Sequence, residues 1–189
     1  MHDVPFFDRV APLYDLVLPG TDREPLADGL SLAERQLDTV VDLGGGTGRA
    51  ARALDRDPIV LDGSLGMLRK ARDHHLRTIR GDIRTLPFPD DSIDGLVSVD
   101  AFHHFPSISR TLEEAFRVLE VGGVLVVREF DPSTLRGKVL VLGERLVRFD
   151  STFLTVDELE SAFETAGFET TVTELGFTYT VVGVKPGKT

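Results

Sequence analysis

Thr39-Val-Val-Asp-Leu-Gly-Gly-Gly-Thr-Gly48 runs from an apolar segment straight into a glycine-rich turn. Thr39–Leu43 reads as a buried strand, and the residues from Thr47 to about Leu54 as a short helix. Glycines at 44, 46 and 48 tolerate positive φ and let a ligand come close to the backbone. The first N–H groups of the following helix are a candidate anion site. The pattern is Asp-x-Gly-x-Gly-x-Gly. A dinucleotide fingerprint beginning at Gly44 needs glycine at 49, where Arg49 stands, and the phosphate loop G-x-x-x-x-G-K-[ST] is absent. A nucleotide-like ligand at a strand–turn–helix junction is the reading that survives.

Outward from this turn, strands and helices alternate. Pro58–Asp62, Thr78–Arg80, Ile93–Val99 and a run opening at Val124 read as strands. Ser64 caps a predicted helix to about His74, and Ser107–Leu119 keeps helical spacing through Ile108, Leu112, Ala115 and Phe116. Gly122-Gly123 is read as that helix's end. Phe168–Leu175 and Phe177–Val184 flank Gly176 as an antiparallel hairpin. The expected fold is α/β: a Rossmann-like, seven-stranded, mostly parallel sheet with a C-terminal antiparallel hairpin and helices on both faces.

Acids recur in phase with this alternation. Asp42, Asp62 and Asp82 end successive predicted strands, and Asp100 follows the fourth. In an open parallel sheet, ligands bind outside the carboxyl ends of the strands. These acids are therefore expected around one site, and an acid after the second strand can accept both hydroxyls of a ribose.

Composition narrows the classes. The chain has 189 residues, 41% of them hydrophobic, which is enough for one domain with a real core. No apolar run is long enough to span a membrane, and no signal-peptide pattern opens the sequence, so a cytoplasmic protein is expected. The absence of cysteine excludes disulfides, thiolate metal sites and thiol nucleophiles. A net charge of −10 argues against a broad nucleic-acid surface.

The segments VVDLGGGTGRAA, VLDGSLGMLRKAR, GDIRTLPFPDDSIDGLVSVDAFHHF and RTLEEAFRVLEVGGVLVVREF resemble, in that order, the motifs of class I S-adenosylmethionine-dependent methyltransferases. FFDRVAPLYD near the start is similar to the opening of the ubiquinone/menaquinone C-methyltransferase-like group. The resemblance implies S-adenosylmethionine as cofactor, with S-adenosylhomocysteine as product. It implies that Gly44, Gly46 and Gly48 pass the methionine part, with Asp42 near its amino group. Asp62, followed by Gly63, would hold the ribose hydroxyls, Met67 would pack on the adenine, and Asp82 and Ile83 would meet the adenine amino group. Asp100 joins this cofactor set, and Tyr14 would close the pocket from the N-terminal side. Gly63, Ile93 and Val121 depart from residues usual in the family, none of them at a side chain with a bonding role.

Methyl transfer is an in-line displacement that needs alignment and exclusion of water, and a base only when the nucleophile must lose a proton. Candidate bases are His103, His104, Asp100 and Glu129, with the histidine pair as the catalytic candidates and His103 the one expected to face the substrate. No metal site is expected, since adjacent histidines diverge and lack further ligands at suitable spacing. Two apolar faces are expected either to pack on the domain or to form a lid. One comprises Phe6, Phe7, Val10, Leu13, Leu16 and Val17; the other comprises Leu135, Val139, Leu142, Leu146 and Val147.

The expected organisation is one domain over 1–189. It divides into an N-terminal helical cap (1–37), a cofactor-binding core (38–131), a helical substrate-side segment (132–154), and a last helix with the hairpin (155–189). The expected function is methylation at carbon or oxygen of a small, apolar or aromatic metabolite by a monomer or homodimer. The alternative is a non-catalytic S-adenosylmethionine-binding sensor or complex subunit. A nicotinamide oxidoreductase is disfavoured by Arg49.

Overall fold

The computed structural model describes residues 6–9, 11, 21–146 and 151–187. Helix α1 (Arg23–Leu30) precedes β1 (Val40–Leu43), α2 (Arg49–Ala53), β2 (Ile59–Asp62), α3 (Leu65–Asp73) and β3 (Arg77–Arg80). Then come β4 (Ile93–Val99), a 3-10 turn at Phe102–His104, α4 (Ile108–Val118), β5 (Leu119–Phe130) and α5 (Leu135–Leu146). The chain continues through α6 (Val156–Thr165), β6 (Glu169–Glu174) and β7 (Thr178–Val184).

One sheet holds all seven strands in the order β3-β2-β1-β4-β5-β7-β6. The first five are parallel, and β7 runs antiparallel to both β5 and β6. β1 and β4 are buried along their whole length, because helices cover both faces. Alternate residues serve opposite faces. Val41, Leu43, Leu96, Leu125 and Val127 pack with Leu112 of α4 and with Leu159 and Phe163 of α6. Val40, Val97, Val124 and Val126 pack with Leu26 and Leu30 of α1. Each valine or leucine taken fully out of water contributes ~1.5–3 kcal/mol. Edge strand β6 alternates exposed with half-buried positions, as expected for a strand with one wet face.

Local chemistry sets the helix starts. Ser64 and Ser107 accept the N–H groups of Met67 and Arg110, and Thr155 with Glu158 forms a reciprocal capping box. Gly122-Gly123 departs from expectation. The pair lies inside β5, where Gly122 adopts φ 76°, donates to the Lys185 carbonyl and accepts the Glu34 N–H. The register of β5 on β4 shifts there, from Ile93↔Leu119 to Gly95↔Val124. The glycines thus serve a strand irregularity, not a helix cap.

The strand order reverses between β1 and β4, so their carboxyl ends part around a crevice. Among the described residues, no helix is long and apolar enough to cross a membrane.

Candidate active site

The glycine turn leaves β1 at this crevice. Gly44 and Gly46 adopt φ 66° and 58°, in the left-handed region open to glycine. A Cβ on Gly44 would lie 2.8 Å from the Phe105 ring, while one on Gly46 would meet little but empty cleft. The cleft's void, including its open mouth, is about 790 Å³. Its walls combine Gly44–Gly46, Met67, Ile83, Phe105 and Phe7 with Asp42, Asp62, Asp100, Arg49 and His104.

Asp42 is fully buried. Its Oδ2 accepts the Ala51 N–H at 3.2 Å, while its Oδ1 has no hydrogen-bond partner among the described residues. Burial, seconded by the Asp62 charge, pushes its carboxyl up to about 7. Asp62 accepts the N–H groups of Gly46 (3.0 Å) and Ser64 (2.7 Å), and burial still raises it above the ordinary carboxylate range. Asp100 adopts φ 51°, a left-handed conformation that costs on the order of 1 kcal/mol outside glycine. Its N–H donates to the Arg128 carbonyl, and its Oδ2 accepts from Arg49 at 3.2 Å. Its Oδ1 is buried with no partner among the described residues, and burial, then the Glu129 charge, raises its pKa.

Thr21 also lines the cleft with a buried Oγ1 that has no partner among the described residues. A buried polar atom without a partner costs about 1–3 kcal/mol, so three on one wall mark a place built for a ligand's polar groups. The wall is rich in acid, and α2 is a single short helix whose Ala51 N–H is taken by Asp42. The expectation of an anion at its N-terminus therefore gives way to a site suited to an ammonium and to hydroxyls.

The N-terminal segment takes part. Asp8 accepts from Ser64 Oγ (2.6 Å) and from the Gly66 N–H (2.7 Å), which holds residues 6–9 on the start of α3 and Phe7 on the cleft. Those bonds lower the Asp8 carboxyl. The Phe7 ring meets His104 edge-on, with centroids 5.2 Å apart.

The histidine pair divides. His104 lines the cleft, and its Nδ1 lies 3.2 Å from Ser151 Oγ. His103 is buried, stacked on Phe153 at 4.5 Å, with Nδ1 2.7 Å from Glu129 Oε2. Glu129 Oε1 accepts the N–H groups of Phe102 (2.6 Å) and His103 (3.4 Å). The cleft-facing histidine is thus His104, the reverse of the expected order. His103 borders a separate void of about 210 Å³, with Phe130, Tyr179 and Phe153. Burial raises the Tyr179 phenol, which donates to the Leu154 carbonyl.

Of the residues singled out from sequence, the structure gathers Asp42, Gly44, Gly46, Asp62, Gly63, Met67, Ile83, Asp100 and His104 on this cleft. Asp82 stands apart: its carboxylate is held by Arg84 at 2.6 Å, which lowers its pKa. Gly48 (φ 82°) caps α2 and faces Leu76. Tyr14, with Val10, Leu13, Leu16, Val17 and Val147, lies outside the described residues. Thr21, Phe105 and the structural role of Arg49 carried no sequence signal, since each depends on a contact distant along the chain. No cluster of potential metal ligands occurs among the described residues.

A family model described as a methyltransferase domain matches residues 41–127, the span that contains β1 to β5 and this cleft. Residues 41–127 form a methyltransferase domain. The chain is 36% identical over 133 residues to rice (Oryza sativa subsp. japonica) 2-methyl-6-phytyl-1,4-hydroquinone methyltransferase 2, covering 63% of this chain and 38% of the rice protein. To the demethylmenaquinone methyltransferase of Thermus thermophilus it is 33% identical over 142 residues, covering 67% of this chain and 64% of that one. The chain superposes on a Thermotoga maritima S-adenosylmethionine-dependent methyltransferase with a TM-score of 0.79 at 24% identity, covering 97% and 100% of the two chains. The same TM-score, at 25% identity, relates it to the partner of the Trm112 methyltransferase activator in a Haloferax volcanii complex, with 96% and 98% covered. The chain spans less than two thirds of the length of the curated relatives it matches.

Proposed function

We propose that this chain transfers a methyl group from S-adenosylmethionine to carbon or oxygen of a small, apolar or aromatic metabolite. The observation that carries the reading is the wall of buried acids around the glycine turn, with oxygens on Asp42, Asp100 and Thr21 that have no partner among the described residues. These residues fit the cofactor's chemistry. Asp42 and Asp100 meet the methionine ammonium, whose charge offsets the cost of their burial. Asp62 and Thr21 take ribose hydroxyls, with Gly63 beside them. Met67 and Ile83 supply apolar faces for the adenine. Asp82, paired with Arg84, stands outside this set, and Gly48 acts by starting α2.

The bound cofactor supplies an electrophilic methyl group. The protein aligns the acceptor with it and excludes water, and apolar walls such as Phe105 and Phe7 do both. His104 meets the acceptor and takes a proton from a hydroxyl or activated carbon that must lose one. His103 and Glu129 act from behind, holding the turn that presents His104. The relatives methylate a phytylhydroquinone and demethylmenaquinone by name, which supports an aromatic or quinone-like acceptor. Proposed with this are one domain over 1–189 and action in the cytoplasm as a monomer or homodimer.

Incubation with methyl-labelled S-adenosylmethionine and fractionated metabolite extracts tests the reading. Labelled product is expected in an apolar or aromatic fraction, and lost in Asp62→Ala. Tight binding of S-adenosylhomocysteine with no transfer across broad pools would instead leave a non-catalytic binder.

A further inference from the structure

Helix α5 follows β5 at the carboxyl end of the sheet, the end that holds the cleft. Leu135, Val139 and Leu142 stand at i, i+4 and i+7, one stripe of a helix, and are 82%, 67% and 59% exposed. Gly137, on the other side of the helix, is buried against the 131–132 backbone. The stripe expected to pack on the domain or to cover the cleft is therefore turned outward.

The β6–β7 turn adds to it. Leu175 is 75% exposed, and Phe177 two residues later packs on Phe130 and lies beneath the Arg136 guanidinium. The Phe177 carbonyl accepts the Asp131 N–H, so the turn and the start of α5 form one corner. Arg136 and Lys138 are exposed beside the stripe. In a chain of net charge −10, the α5 sequence carries three bases (Arg136, Lys138 and Arg145) and one acid, Glu144. The acids that bracket this corner are engaged elsewhere: Asp131 accepts the Ser133 N–H, and Glu174 is held by Arg128.

We propose that this corner docks on an anionic lipid bilayer. Leu135, Val139, Leu142 and Leu175 enter the boundary of the acyl chains, and Arg136 and Lys138 meet lipid phosphates. A second copy of the chain suits the face poorly, because a two-fold contact would set these cations against their own counterparts. Docking here brings the cleft end of the sheet to the membrane, where an apolar acceptor is concentrated. That purpose rests on the methyltransferase reading; the docking does not.

Vesicle flotation of the full chain tests it, using phosphatidylglycerol–phosphatidylcholine vesicles against pure phosphatidylcholine. Co-flotation with anionic vesicles is expected at least tenfold above that with neutral ones. Leu135→Ser/Val139→Ser/Leu142→Ser should abolish it, and Arg136→Glu/Lys138→Glu should remove the preference for anionic lipid. A thermal shift with S-adenosylhomocysteine reports that each variant is folded. Wild type that fails to float with either vesicle overturns the proposal. So does a dimer in light scattering that the triple serine variant splits, which would assign the face to a second copy. A wild type that floats without binding S-adenosylhomocysteine would count against the methyltransferase reading alone.

Discussion

The two ends of the sheet treat buried polar groups in opposite ways. At the end where the parallel strands begin, Lys185 donates to Asp91 and to the carbonyls of Phe116 and Leu119, all within 2.6–2.8 Å, and lies over the Phe116 ring. Asp94 there accepts the N–H groups of Asp38 and Thr39 and pairs with Arg35. At the end where the strands stop, Asp42 and Asp100 each keep a buried oxygen without a partner among the described residues, and Asp100 holds a left-handed backbone. One end spends its polar groups on holding the fold. The other withholds them from the fold, at a cost in stability, as a binding site requires.

Substitutions at the two ends should therefore separate affinity from stability. Asp62→Ala is expected to weaken S-adenosylhomocysteine binding at least 100-fold, about 2.7 kcal/mol, in a titration calorimeter. Its circular dichroism spectrum should stay native. Near-wild-type affinity would remove Asp62 from the site.

Lys185→Met, at the opposite end, removes three hydrogen bonds and should cost about 2 kcal/mol in urea unfolding. Affinity of the folded fraction for S-adenosylhomocysteine should stay within twofold. A parallel loss of affinity would mean the two ends are coupled, and the contrast drawn above would fail.

Asp42→Asn sharpens the contrast through pH. Because burial raises the Asp42 pKa in the folded chain to about 7, the folded state keeps a proton that the unfolded chain gives up near its ordinary value. Below about pH 4 both states are protonated and the group costs nothing. Between there and about 7 stability falls, and above 7 the full penalty stands. Relative to Asp42→Asn, wild type should lose stability progressively across that window, read as the difference of two urea series. Affinity for S-adenosylhomocysteine should drop about tenfold in the variant, since the ammonium loses its counter-charge. A flat difference between the two series would show that Asp42 carries no such burden.

Glu129→Gln gives the smallest effect. The amide can still accept the N–H groups of Phe102 and His103 but no longer fixes the His103 tautomer by charge. Stability should fall by about 1 kcal/mol and S-adenosylhomocysteine affinity should hold, while the pH profile of transfer shifts. An unchanged profile would reduce Glu129 to a purely structural tie.

Most of the architecture was legible from residue patterns. Runs such as Val124–Val127 and Leu96-Val97 have no polar face, which is what burial between two helical layers demands. The cap Ser64 is an equally local signal. Gly122-Gly123 misled because a glycine pair after a helical pattern suits a cap and a strand irregularity alike. The Lys185 and Glu34 backbone partners that decide between them lie far along the chain. Helix α1 lies within the expected N-terminal helical cap, but its bounds were not legible because its buried side is only Leu26, Gly29 and Leu30.

By itself, then, the sequence determined what depends on neighbours a few residues apart: the glycine turn, the periods of strand and helix, and acids spaced one strand–helix step from the next. Tertiary structure alone decided which of those groups share a cavity. Asp62 faces the cleft while Asp82 is captured by Arg84, and Glu129 buries His103 so that His104 takes the wall. Thr21 and Phe105 arrive there from elements whose own patterns say nothing of a ligand. Spacing places a residue at a strand's end, but the direction of its side chain follows from whichever partner, often distant in sequence, satisfies its charge or fills its space.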